Sequence, residues 1–502
     1  MPAPIHSTTR SAIAIGLGLV AGLIAAASLP PLALWPLGIL AIAILLLMVE
    51  DESRGWRFTI GLAFGLGQFI PGLWWAQHFS LPGAFVLIAV EALFVAGACV
   101  AITPRRGRTL SAIGALVLFE WLRISWPLGG LPIGGVALGQ INGPLAPLAR
   151  LGGSLAIIAG VVIAGAGLRH LLSASASRNQ GDMSAARRAV LGGVMVTCVV
   201  VLVLVAMVSS SGGPVVNTIH VAAVQGGGKR GTSAQQTDPT GVTLAQLKAL
   251  REVPTGTNLC VLPEDVIGLS GPLVGSWQLN ALSAAARSHH CYLTAGVTQP
   301  VGFHQFLNYV VGINPSGSII AHVEKAHRVP FGEYVPLRSL LSHVANFSGV
   351  PRDAVIGHGV GTMQLGTTRL GVLISFEVFF SSRSLPQIRD GAELLIVPTN
   401  TTSYPGTQMP SVELAAARLQ AMETGRNLVQ ASPTGFSAII SPNGHVVAKS
   451  SLSSQGVVSG VVGLRNGRTV YDDTGDLPVL LLAALCLGLG WVRALKSPAT
   501  YS

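Results

Sequence analysis

Eight apolar runs, each near the ~20 residues needed to cross a bilayer, dominate what this chain can fold into. They are Ser11–Leu29, Leu32–Val49, Phe58–Gln77, Pro82–Thr103, Leu110–Trp126, Gly152–Leu172, Ala189–Val208 and Pro478–Leu495. Ala25-Ala26-Ala27-Ser28 could pass for a signal-peptidase site, but the next run follows at once, so a retained helical hairpin is expected. Between the seventh and eighth runs the chain returns to ordinary globular mixing. The expected organisation is a membrane domain over 1–210, a soluble domain over 217–465 and a C-terminal membrane helix over 478–495. Only 10% of the residues are charged, against roughly 25% in soluble domains, in keeping with that division.

The basic residues orient the runs. Arg10 precedes the first; Arg54 and Arg57 follow the second; Arg105, Arg106 and Arg108 follow the fourth. Arg169, Arg178, Arg187 and Arg188 follow the sixth, and Arg493 and Lys496 the eighth. The intervening loops carry almost no positive charge, so the positive-inside rule puts both termini in the cytoplasm and the soluble domain outside it. The net charge of +10 is thereby spent on topology. No basic groove with interleaved aromatics accompanies it, which argues against nucleic acid as a partner. The five cysteines show no metal-ligand spacing, so no zinc site is expected. Cys260 and Cys291 lie on two expected strands, either as buried thiols or, outside the cytoplasm, as a disulfide. Glu91, Glu120 and Arg123 sit within apolar runs, where a charge needs a partner or a wet cavity. They either clasp helices together or line a polar cleft open to lipid.

The soluble stretch alternates strands and helices. Hairpins are expected across Asn314-Pro315-Ser316-Gly317 and Pro442-Asn443-Gly444, and Met409–Thr424 reads as an amphipathic helix closed by Gly425. This pattern implies an α/β sandwich of sheets flanked by helices. Its central stretch is Leu370–Glu377, an apolar strand that stops abruptly in a polar pair. A strand end of that kind exposes the side chain at its tip, as α/β enzymes do with a nucleophile. Two other strands end at Glu264 and at Lys325. Carboxylate, ammonium and hydroxyl together suggest a general base, an oxyanion stabiliser and an attacking Ser375. Taken singly, Glu264 and Lys325 are as readily solvated surface charges, while Glu333 and Glu377 are as readily local caps or counter-ions.

Four motifs, in order, carry a resemblance: LPED at 262–265, KAHRVPFGEYVP at 325–336, SFEVFF at 375–380 and ARLQAMETGR at 417–426. With Pro30–Pro36 and Glu120-Trp121-Leu122-Arg123 in the membrane half, the chain resembles apolipoprotein N-acyltransferase. That is a polytopic bacterial membrane family with an extracytoplasmic carbon–nitrogen-hydrolase (nitrilase-like) domain. The resemblance implies about eight transmembrane helices, an αββα sandwich, and a Glu–Lys–Cys triad falling on Glu264, Lys325 and Ser375, supported by Glu333 and Glu377. It also implies no cofactor, a phospholipid acyl donor, a diacylglyceryl apolipoprotein as acceptor, and the cytoplasmic (inner) membrane as location. Relatives in actinobacteria are linked to polyprenol-phosphate mannose synthase, a further partner implied on the same ground.

The chain departs from the family pattern at the nucleophile, with Ser375-Phe376 where the family has cysteine and tyrosine, and at Leu262, where an aromatic is usual. A thiol is partly ionised near neutrality, whereas a hydroxyl depends on a neighbouring base for its proton. An amine also attacks a thioester more readily than an oxygen ester. A serine enzyme therefore relies more on orientation and oxyanion donors. The rival expectations are a silenced scaffold or lipoprotein-binding protein and, less in keeping with the membrane architecture, a nitrilase-type amidase.

Overall fold

The computed structural model describes residues 5–496 except 105, 177–182, 229–236, 344–346, 348 and 405; Arg105 and Arg178 lie outside the described residues. The chain divides into two compact units, Met1–Ser209 with Thr474–Ser502, and Ser210–Asp473.

The first unit is helical. Each expected apolar run falls on a helix: Ile5–Ala27, Trp35–Met48, Arg54–Leu73, Leu81–Ala101, Arg108–Ser125, Ala149–Ala176, Met183–Val208 and Leu477–Leu495. By length and hydropathy four stretches suffice to span a membrane: Leu81–Ala101, Ala146–Ser175, Ser184–Val208 and Leu477–Leu495. Small residues set the packing, as they must where lipid removes the hydrophobic drive between helices. A Cβ on Gly22 would meet the Phe64 carbonyl oxygen at 2.0 Å, and one on Gly67 the Leu19 oxygen at 2.2 Å. Helices Ile5–Ala27 and Arg54–Leu73 therefore touch backbone to backbone. Arg108 and Arg169 both pair with Glu50, and Arg108 also with Asp51 at 2.5 Å. Basic residues flanking the fourth and sixth runs thus converge on the end of the second.

Arg123 resolves the two readings of the charged groups in favour of a clasp. Its guanidinium donates to Glu120 at 2.8 and 2.6 Å, to Glu91 at 2.9 Å, and to the carbonyls of Leu131 and Ile133 at 2.6 and 3.1 Å. Glu91 comes from another helix, so one planar fork ties two helices and a loop.

The second unit is a two-sheet sandwich. The first sheet holds β1 (Val215–Gln225), β2 (Leu259–Val261), β3 (Ile267–Gly268), β4 (Tyr292–Val301), β5 (Gln305–Ile313), β6 (Ile319–Glu324) and β7 (Asp353–Ala354). The second holds β8 (Thr362–Leu365), β9 (Thr368–Val372), β10 (Leu394–Pro398), β11 (Leu428–Ala431), β12 (Ala438–Ile440) and β13 (Val446–Lys449). The chain then returns through β14 (Gly456–Arg465) to pair antiparallel with β1 at the edge of the first sheet. Alternation along each strand builds the layers. Val221, Ala223, Leu259 and Val261 pack with Leu370, Val372, Ile396 and Val429 between the sheets. Ala222, Val224, Cys260 and Leu293 face outward with Ala249, Leu250, Leu282 and Ala286 from helices Pro239–Leu250 and Trp277–His289. Helices Ser381–Arg389 and Met409–Thr424 pack with the second sheet. Truncating a central residue such as Ile396 to alanine costs about 2–5 kcal/mol.

Both hairpins form where expected, between β5 and β6 and between β12 and β13. Leu370–Glu377 differs from its expected form. The strand ends at Val372, and Ser375–Phe379 is a 3-10 turn, because Glu377 folds back to accept the Ile374 N–H at 2.9 Å. Cys260 and Cys291 are buried free thiols with sulfurs 3.0 Å apart.

Candidate active site

Parallel strands align their carboxyl ends, and side chains just past those ends share a crevice. Here β2 ends at Val261, three residues before Glu264, which is 4% exposed. The antiparallel hairpin of β5 and β6 returns to the same place, since the Lys325 N–H donates to the Asn308 carbonyl at 2.9 Å.

The charged groups meet at one nitrogen. Lys325 Nζ, 2% exposed, donates to Glu264 Oε1 at 2.8 Å and to Glu333 Oε1 at 2.7 Å. Asn308 Nδ2 donates to the same two oxygens at 2.9 and 3.1 Å. Glu333 is fixed in turn by the Val329 N–H at 2.8 Å. An ammonium has three donors, and among the described residues only two of those on Lys325 are taken. Burial pulls this amine down, but the two carboxylates outweigh it and hold Lys325 above its ordinary value, charged at any physiological pH. Glu264 is raised above the usual carboxylate range: burial lifts it, Lys325 opposes, and Glu333 adds to the lift. The arrangement thus holds a firm cation beside a carboxylate that is basic for its kind.

Ser375 stands at a strained corner, with φ at 51°. A non-glycine residue in the left-handed region costs of order 1–3 kcal/mol and persists where its surroundings over-determine it. Those surroundings are Glu377, fully buried. Its Oε2 takes the Ile374 N–H, and its Oε1 takes the N–H groups of Ala326 and His327 at 2.8 and 3.0 Å, with Arg383 at 3.1 Å as counter-ion. One carboxylate therefore binds the residue before Ser375 to the residue after Lys325. The site residues read from the sequence are Glu264, Lys325, Ser375, Glu333 and Glu377. Direct hydrogen bonds join Glu264, Lys325 and Glu333, and Glu377 joins the Ser375 segment to the Lys325 segment.

Several neighbours were not read from the sequence. Asn308 is a polar residue in an otherwise apolar strand, 3% exposed, and its place opposite Lys325 in the hairpin was the available signal. Asp265 and Asn400 face each other across strand ends, Asn400 Nδ2 donating to Asp265 Oδ2 at 3.3 Å, with burial raising the Asp265 carboxyl to about 7. Glu413 gave no local signal, because a single carboxylate on an amphipathic helix reads as solvated.

Comparison with known proteins bears on what such an arrangement does. A family model described as apolipoprotein N-acyltransferase N-terminal domain matches residues 21–167, and one for carbon-nitrogen hydrolase matches 220–469. An apolipoprotein N-acyltransferase of Shewanella oneidensis is 26% identical over 97% of this chain and 97% of its own length. One from Chromobacterium violaceum is 28% identical over 98% of this chain and 97% of its own. A third, from Geobacter metallireducens, is 32% identical over 34% of this chain and 33% of its own.

Proposed function

This chain belongs to the apolipoprotein N-acyltransferase family, and we propose from that premise that Ser375 is its working nucleophile. The activity is transfer of a fatty acyl chain from a phospholipid to the N-terminal amine of a diacylglyceryl-cysteine lipoprotein. The observation that supports Ser375 is its strained φ of 51°, held by Glu377 beside the Lys325 backbone. A silenced relative would have no need to keep a hydroxyl in a costly conformation.

In the first half-reaction Ser375 Oγ attacks the ester carbonyl carbon while Glu264 takes its proton. The uncommitted N–H of Lys325 stabilises the oxyanion, with backbone N–H groups at the corner as further donors. Glu264 returns the proton to the leaving lysophospholipid oxygen, and an acyl ester remains on Ser375. In the second, the lipoprotein amine attacks that ester and gives a proton to Glu264; the C–N bond forms, the bond from the acyl carbon to Ser375 Oγ breaks, and Glu264 passes that proton to Ser375. Asn308 holds Glu264 and Glu333 at fixed spacing about the ammonium, so the charges need no rearrangement as the oxyanion forms.

The helical unit anchors this centre in the membrane, which we place in the cytoplasmic membrane with the hydrolase-like unit outside. Eight crossings, over 1–210 and 478–495, with the soluble unit over 217–465, complete the proposed topology. The convergence of Arg108 and Arg169 on Glu50 supports the charge alternation on which it rests. Beyond the substrates, the partner implied by the resemblance is a polyprenol-phosphate mannose synthase, which co-purification from solubilised membranes tests.

Mass spectrometry of lipoprotein N-termini tests the function. Cells whose only copy is this chain carry N-acylated lipoproteins, and the third acyl chain disappears when the copy carries Ser375→Ala. Intact triacylation in the Ser375→Ala strain removes Ser375 from the mechanism.

A further inference from the structure

The two half-reactions differ in their protons. When Ser375 attacks, one proton leaves the oxygen, and Glu264 can hold it until the lysophospholipid departs. The acceptor enters as an ammonium, since an α-amino group titrates at about 7.7–8.0, and it ends as an amide. Two protons must leave the nitrogen. One returns to Ser375 through Glu264, and the other must go before attack, because an ammonium has no lone pair. Glu264 cannot hold both.

The structure contains a second carboxylate with an open acceptor. Glu413 lies near the start of helix Met409–Thr424, is 3% exposed, and takes a hydrogen bond from Thr399 Oγ1 on its Oε1. Its Oε2 is enclosed and, among the described residues, has no hydrogen-bond partner. Unpaired buried oxygens are uncommon and call for an explanation. Thr399 places it relative to the nucleophile. β9 and β10 run parallel with Val372 opposite Ile396, and the Leu373 N–H donates to the Ile396 carbonyl at 3.0 Å, so Ser375 and Thr399 each follow three residues after a paired position, at the same end of neighbouring strands. Helix Met409–Thr424 packs on the 3-10 turn that Ser375 begins. The charges of Glu264 and Lys325 both reach Glu413, and burial raises its carboxyl to about 8. A base and an ammonium of similar pKa exchange a proton readily in either direction.

We propose that Glu413 is a second proton acceptor of this centre, taking the first proton from the incoming lipoprotein ammonium so that Glu264 is free for the second. The proposal rests on the acyl-Ser375 reading. The step balances: the ammonium N–H breaks, the Glu413 carboxylate becomes a carboxylic acid, and the neutral amine attacks the ester carbon. The proton then leaves to solvent with the product.

The charged groups on helix Met409–Thr424 itself and on the elements packed against it have partners of their own. Glu377 and Arg383 pair with each other. Arg389 donates to the Asp472 carbonyl at 2.8 Å, Arg418 to the Gly444 carbonyl at 2.6 Å, and Glu423 accepts from Ser381 at 2.7 Å. β11 and β12 carry no titratable side chain. Tyr404 shares the same surroundings, and burial pushes its phenol up and out of the working range.

The test uses the full-length protein in phospholipid–detergent micelles and compares wild type with Glu413→Gln. Lysophospholipid release without acceptor reads the first half-reaction. Transfer to a synthetic diacylglyceryl-cysteinyl peptide reads the second. In the variant, release is expected within about twofold of wild type, while transfer falls about tenfold at pH 7, where only about a tenth of the amine is neutral, and recovers above pH ~9, where the amine is already neutral. An acceptor peptide ending in a weakly basic aminooxy group is expected to erase the deficit at pH 7. Unchanged transfer, equal loss at every pH, equal loss with the aminooxy peptide, or loss of release in the variant would each overturn the proposal. Absence of acyl-Ser375 in wild type overturns the nucleophile reading, and this proposal with it.

Discussion

The two units each bury a cation between two carboxylates, and the two clusters differ in what they leave open. In the membrane unit Arg123 lies between Glu91 and Glu120. In the soluble unit Lys325 lies between Glu264 and Glu333. The formal charge is the same in both, and both cations are almost wholly shielded from solvent. The difference is in what remains open. Every nitrogen of Arg123 is engaged, with two carbonyls added to the carboxylates. Among the described residues Lys325 keeps one donor in hand, and the backbone beside it is tied to a strained hydroxyl residue. Buried charge alone therefore does not mark a catalytic centre. Unused hydrogen-bonding capacity beside a hydroxyl is the feature on which the proposed assignment of the Lys325 cluster rests.

The largest effect that would break this comparison is at the hydroxyl. Ser375→Ala is expected to lower transfer by about 10³-fold or more, because residues that act as a unit fail together, measured with a radiolabelled phospholipid donor. Ser375→Cys is expected to retain transfer or raise it, since the thioester yields more readily to an amine.

Next come the two cations. Lys325→Met and Arg123→Met each leave two carboxylates facing without their counter-ion, a loss of about 3–5 kcal/mol that thermal unfolding in detergent reads out. The account separates them by activity. Lys325→Met should also lose about 10²–10³-fold in lysophospholipid release, whereas the Arg123→Met protein that remains folded should release at close to the wild-type rate. Lys325→Arg is not expected to rescue, because a planar fork cannot reproduce the ammonium's three directions.

A smaller, sharper effect lies in the pH profile. In the proposed mechanism Glu264 acts as a carboxylate, and burial raises it above its ordinary 4.5, so the rate of release is expected to rise with pH through a midpoint above that value. Lys325 pulls against the rise, so any residual activity of Lys325→Met should show a midpoint higher still. The smallest expected effect is at Glu377. Replacement by glutamine keeps the shape but loses the charge-assisted bonds to Ile374, Ala326 and His327, costing about 1–3 kcal/mol and lowering kcat more than it raises KM.

The same contrast explains what could be read in the sequence. The apolar runs fell on helices because length and hydropathy are local properties, and the hairpins at Asn314–Gly317 and Pro442–Gly444 are specified by their turns. Ser375, Glu264 and Lys325 were legible because each closes an apolar strand with one reactive group. Three features depended on distant partners. β14 pairs with a strand that lies more than two hundred residues earlier in the chain. The strand into Ser375 stops at Val372 because Glu377 turns back on Ile374. Glu413 sits on a helix whose burial on both sides comes from the sandwich, and nothing in its immediate neighbours announces that.

The central claim is a covalent one, and the most direct measurement is peptide mass spectrometry of the full-length protein incubated with phospholipid and no acceptor. The account predicts a fatty acyl ester on the peptide that contains Ser375, absent from Ser375→Ala, stable to neutral hydroxylamine and removed by alkaline hydroxylamine, as an oxygen ester must be. A protein that releases no lysophospholipid, or that carries its acyl group on another residue, would contradict it.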